Sequence, residues 1–179
     1  MPLYLAEITF DTPGRDAVER TLAQLAGAAG ATGGSLLDAQ VSEGLDHVFA
    51  VLEHVDAGTA RRALVAAGID APEPAEVRLV GATIEEVRSR AGGGEYLVEW
   101  DLPAGLTMDA YLARKKEKSP LYAQVPEVTF LRTYVREDLG KCLCFYDAPD
   151  EDAVCRAREV VGAPVDRLHR LAEQTPATT

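Results

Sequence analysis

Long apolar runs are missing from this chain. No window approaches the roughly 18 uninterrupted apolar residues that a bilayer span needs, and Met1-Pro2-Leu3-Tyr4-Leu5 has neither a basic start nor a signal-type apolar stretch. A membrane partner is therefore not expected, and a cytoplasmic location is. Cysteine is scarce: Cys142, Cys144 and Cys155 are odd in number and confined to one half, a poor disulfide framework that fits reduced thiols. Histidine is equally sparse, and His47, His54 and His169 form no HxH or HxxxH spacing. No phosphate loop, dinucleotide fingerprint, Ser-His-Asp order or EF-hand loop occurs, so those classes lose support. Lysine is absent from residues 1–91, which carry 7 Arg against 14 acids, while residues 92–179 carry 11 basic residues against 15 acids, for a net charge of −11. The one basic run, Arg114-Lys115-Lys116-Glu117-Lys118, is too short and isolated for a phosphate backbone. It reads as a solvated helix end, and no nucleic-acid partner is expected.

What is present is an ordinary globular composition, 47% hydrophobic and 26% charged over 179 residues, enough for two small cores. Tyr4-Leu5-Ala6-Glu7 matches Tyr96-Leu97-Val98-Glu99 at an offset of 92, and Asp56, Arg62, Ala63 and Gly68 match Asp150, Arg156, Ala157 and Gly162 at an offset of 94. Two copies of one plan account for this. Each copy reads β-α-β-β-α-β. In the second, Thr107 and Asp150 are candidate N-caps, Glu137-Asp138-Leu139-Gly140 is a hairpin loop, and Gly162 with Pro164 ends the last helix. A short closing strand is expected between Asp166 and Glu173, although Val165, Leu168 and Leu171 also fit a helical period. Thr83-Ile84-Glu85-Glu86 opens an extra short helix, and Gly92-Gly93-Gly94 supplies a flexible joint near Ala91–Gly94. The expected fold is α+β, a tandem of two ferredoxin-like βαββαβ sandwiches, residues 1–91 and 92–179, forming a pseudo-dimer within the chain.

The run Tyr96-Leu97-Val98-Glu99, the segment Leu131-Arg132-Thr133-Tyr134-Val135, the stretch from Lys141 through Cys142, Cys144 and Tyr146 to Pro149, and the ending from Gly162 to His169 resemble the small actinobacterial nickel-responsive protein family. The resemblance covers about residues 95–172, and the first half looks like a diverged copy without the Cys-x-Cys segment. It implies a dimerising α+β sandwich, hence a possible homo-oligomer, and in at least one branch nickel binding. It fixes no ligand set.

Strand alternation is read with Leu143 and Phe145 toward the helix-covered core, which sets Cys142, Cys144 and Tyr146 on the opposite face. Two thiols on one side of a strand, about 6.5–7 Å apart at the backbone, suit a soft metal, but small packing residues would look the same. With His169 they are the candidate metal ligands, and nickel the candidate cofactor. Cys155, in a helix beside Arg156, reads as inert. Glu99 is a candidate general base, paired in the repeat with Glu7. Arg132 and Tyr134 are candidates to bind an anionic or carbonyl oxygen. Solvated strand residues, or ion pairs with Arg132 and Arg78, would account for the same carboxylates. Two function classes follow: a small metal-binding protein of nickel type, or a cofactor-free enzyme of cyclase or isomerase class acting on a small organic molecule in a cleft. A binding or scaffolding module without chemistry is the third.

Overall fold

The structure, a computed structural model, describes residues 1–89 and 93–173. Ala91 and Gly92, half of the expected joint, lie outside the described residues. Two compact units account for the chain: Met1–Val77 with the segment from Thr83, rejoined by Ala172; and Arg78–Ala82 with Gly93–Leu171.

The first unit runs β1 (Leu3–Thr9), α1 (Arg15–Ala31), β2 (Ser35–Val41), β3 (His47–Glu53), α2 (Ala57–Ala66), β4 (Ala75–Val80) and α3 (Ile84–Ser89). Its strand order is β2-β3-β1-β4. Tyr4, Ala6 and Ile8 alternate with outward residues along β1 and meet Val48, Ala50 and Leu52 of β3 under Leu25 and Ala29 of α1 and Ala60 and Leu64 of α2. Each large side chain so buried contributes about 1.5–3 kcal/mol.

The second unit runs β5 (Tyr96–Asp101), α4 (Met108–Lys118), a 3₁₀ turn (Ser119–Gln124), β6 (Thr129–Arg136), β7 (Lys141–Asp147), α5 (Glu151–Val160) and β8 (Arg167–Arg170). Its order, β6-β7-β5-β8, is that of the first unit, so both are ferredoxin-like. The closing segment is a strand, with Leu168 opposite Val98. Pro120 lacks an N–H, so the helix tightens into the 3₁₀ turn instead of continuing as α. The repeat reaches the details. Asp56 accepts from the Thr59 N–H and Asp150 from the Ala153 N–H, each capping its helix. Gly68 and Gly162 end α2 and α5 with φ of 70° and 65°, values that cost glycine nothing. Leu45 and Leu139 hold the two hairpin loops at φ 59° and 57°, strain offset by packing each side chain against its own core.

Candidate functional site

The faces of the second sheet are set by register. Val98 stands opposite Cys144, which stands opposite Thr133; Trp100 stands opposite Cys142, and Cys142 opposite Val135. These side chains pack under Tyr111 of α4 and Ala153, Val154 and Ala157 of α5. Cys142, Cys144 and Tyr146 therefore face the helices, and Leu143 and Phe145 face away. This reverses the expected assignment. Every residue from Cys142 to Tyr146 is apolar enough to be buried, so alternation alone carries no sign.

The metal constellation is corrected by the same register. His169 pairs with Leu97, on the face opposite Cys142 and Cys144, and its Nε2 lies 2.8 Å from Glu99 Oε2. The general base is corrected too. Glu99 is only 2% exposed, and its carboxylate accepts from Lys141 Nζ at 2.7 Å and Arg167 Nε at 2.9 Å besides His169. Burial opposes its ionisation, but the bonds from His169, Lys141 and Arg167 outweigh that and hold its carboxyl well below the usual range. A carboxylate so held takes no proton near neutrality. Arg132 donates to the Gly93 carbonyl at 3.1 Å and stacks 4.4 Å over the Phe145 ring. Tyr134 shares that face, in the row Tyr134–Leu143–Glu99, with Leu143 between it and the carboxylate. Both are buried. Glu7 lies 3.8 Å from His47, and Arg78 is bonded twice to Glu137.

On the helix side, α4, the 3₁₀ turn and α5 border an open pocket of about 40 Å³. Its cations are Arg114, Lys115, Lys118 and Arg158, its aromatic walls Trp100, Tyr111 and Tyr122, and among the described residues no Asp or Glu lines it. Arg158 is 2% exposed. Its Nη1 donates to Cys144 Sγ at 3.4 Å and Tyr146 Oη at 3.2 Å, and Nη2 donates to the Pro164 carbonyl at 2.7 Å. Its buried Nε has no partner among the described residues. Tyr122 and Tyr146 share a hydrogen bond of 2.8 Å, and Lys115 Nζ stands 4.4 Å from the centre of the Phe130 ring. Cys144 also accepts from Thr133 Oγ1 at 3.2 Å, with Cys142 Sγ 3.9 Å away. The bond from Cys142, then the charges of Lys115 and Arg158, pull the Cys144 thiol well below its ordinary value against the cost of burial. Burial pushes Tyr146 up, so its phenol stays neutral.

Sequence reasoning missed Arg114, Lys115, Lys118 and Arg158. A signal for Arg158 was there: Val154, Arg158 and Val161 recur at helical spacing, which puts an arginine on a buried face. For the α4 run, Tyr111, Arg114, Lys115 and Lys118 share one stripe, so the helix end turns part of its charge inward.

Residues 96–171 match the family model described as nickel responsive protein SCO4226-like. The second unit carries that family's pattern. Among solved structures, SCO4226 from Streptomyces coelicolor A3(2) is 19% identical, covering 47% of this chain and 98% of that one, with a TM-score of 0.37. The putative chlorite dismutase TA0507 is 13% identical over 97% of this chain and 96% of that one, with a TM-score of 0.57. A putative monooxygenase (FN1347) from Fusobacterium nucleatum subsp. nucleatum ATCC 25586 is 12% identical over 97% and 92%, with a TM-score of 0.47. The likeness to TA0507 shows a shared fold and says nothing of chemistry. No curated protein matches the chain.

The residues of the segment that matches this family model do not fit a resident nickel ion. A dication on Cys142 and Cys144 would lie beside the charges of Arg158 and Lys115. Among the described residues no three His, Cys, Asp or Glu side chains gather to complete a site. No described helix is long and apolar enough to cross a membrane.

Proposed function

We propose that the second unit is a receptor for a small anion, a compact carboxylate or oxyanion held between α4, the 3₁₀ turn and α5. The observation that carries this is Arg158: a buried guanidinium with an unpartnered Nε and, among the described residues, no carboxylate beside it. A buried cation that is left short of counter-charge costs several kcal/mol, and the Cys144 sulfur offsets only one charge of the lining. Even with Cys144 ionised, four cations leave the lining positive in a protein of net charge −11, and a cleft of one sign focuses field on the opposite one. Trp100, Tyr111 and Tyr122 suit a flat apolar body behind the charge. The small volume favours few heavy atoms.

Calorimetric titration with acetate, benzoate and phosphate tests this. Saturable binding by one of them is expected, weakened by added salt and about tenfold or more by Lys115→Gln. Failure of all three to saturate would overturn the reading. Nickel binding, the property suggested by the matching family's description, is the competing one, and its support is that match together with the close thiols. Stoichiometric nickel that is lost when Cys142 and Cys144 both become Ser would favour it over the anion.

A further inference from the structure

The two inner thiols form an arrangement that anion binding does not use. We infer that Cys144 is a nucleophile toward small hydroperoxides, with Cys142 as the thiol that resolves the product. The geometry supplies each requirement. Cys144 is among the residues that line the cavity, and a volume of about 40 Å³ admits water-sized molecules, hydrogen peroxide among them. Thr133 Oγ1 at 3.2 Å and Arg158 Nη1 at 3.4 Å donate to that sulfur, which is the environment of a thiolate. Arg158 and Lys115 can also stabilise the charge that develops on the departing oxygen. Cys142 Sγ waits 3.9 Å away.

In the first step the Cys144 thiolate attacks one peroxide oxygen. The S–O bond forms, the O–O bond breaks, and the departing hydroxide takes a proton to become water, leaving a sulfenic acid. In the second, the Cys142 sulfur attacks the Cys144 sulfur, the S–O bond breaks, and water leaves with the Cys142 proton. Two thiols lose two electrons and one peroxide becomes two waters. A dithiol from solution returns the pair to the reduced state by exchange. Residues i and i+2 of a strand lie about 6.5–7 Å apart, at the upper limit of disulfide span, so the bridge is strained and readily reduced.

The test treats the full chain with stoichiometric hydrogen peroxide, then denatures it, alkylates it and measures the intact mass. The expected product has lost two hydrogens, labels only at the exposed Cys155, and regains both labels after dithiothreitol. Cys142→Ser should instead accumulate one added oxygen on Cys144, trapped by a dimedone-type probe. Thr133→Val, a near-isosteric change that keeps the fold, should slow the reaction about tenfold by removing one bond to the thiolate. Oxidation confined to Cys155, or an unchanged rate in Thr133→Val, would overturn the inference. Its fate is separate from that of the anion reading, because the acetate, benzoate and phosphate titrations require no thiol chemistry.

Discussion

His169 and Cys144 stand on opposite faces of one sheet: His169 is in register with Leu97, and Cys144 with Val98, the next residue of β5. One step along a strand turns the side chain over, so no rotamer brings the imidazole to the sulfur. The same step separates two polar systems, a closed ion cluster around Glu99 and a cationic cavity around Arg158 that has room left in it.

The Glu99 cluster is expected to be structural. Glu99→Gln leaves Lys141, Arg167 and His169 around a neutral amide and should cost about 3–5 kcal/mol in chemical denaturation at pH 7. Because the folded carboxyl titrates below its unfolded value, its stabilisation is present above about pH 4.3 and is lost as pH falls further. The variant should lose less stability than the wild type between pH 5 and 3. A variant as stable as the wild type at pH 7 would show that the cluster does not hold the sheet.

His54 gives the opposite acid behaviour from the first unit. It is fully buried, neither ring nitrogen has a partner among the described residues, and burial, reinforced by Arg62, lowers its pKa. The unfolded chain therefore takes up a proton near pH 6.5 that the folded chain refuses, so stability should fall as pH drops through that value. His54→Leu removes both orphan nitrogens. It should gain about 1–3 kcal/mol and flatten the pH profile from 7 to 5. A variant with the wild-type profile would locate the acid sensitivity elsewhere.

Two glycines of the first unit should respond with opposite sign. Gly27 lies inside α1, and a methyl group added there would meet no atom within 4 Å, so Gly27→Ala should stabilise by about 0.5–1 kcal/mol. At Gly34 a Cβ would come 2.2 Å from the Glu53 carbonyl oxygen and 2.4 Å from the His54 ring, so Gly34→Ala should destabilise by about 1–3 kcal/mol or more. Thermal melts of the two variants moving in one direction would contradict this packing.

The repeat is legible in the sequence because it is written in residues with local duties: Asp56 and Asp150 cap through their carboxylates, Gly68 and Gly162 stop through their backbone, and each acts within a few residues of its own position. Which face of β7 meets the helices is not, since Cys142, Leu143, Cys144, Phe145 and Tyr146 can all be buried and the decision lies in α4 and α5. Grouping Cys142, Cys144 and His169 as ligands rests on element type, a criterion blind to sheet face. Glu99 stands out within its strand, but its partners Arg167 and His169 come from a strand about 70 residues on in sequence, which no local pattern announces. Arg158 needs helix periodicity read for a charged residue as well as for apolar ones.

The direct measurement of the anion pocket is nitrogen-15 NMR of the Arg158 Nε–H, whose nitrogen, unlike Nη1 and Nη2, has no partner among the described residues. Titration with phosphate, acetate and benzoate should shift this resonance saturably for at least one of the three, with the same dissociation constant as calorimetry, and Lys115→Gln should weaken that constant about tenfold. An Nε–H resonance that stays in place while all three anions are raised to saturating levels for surface sites would contradict the account.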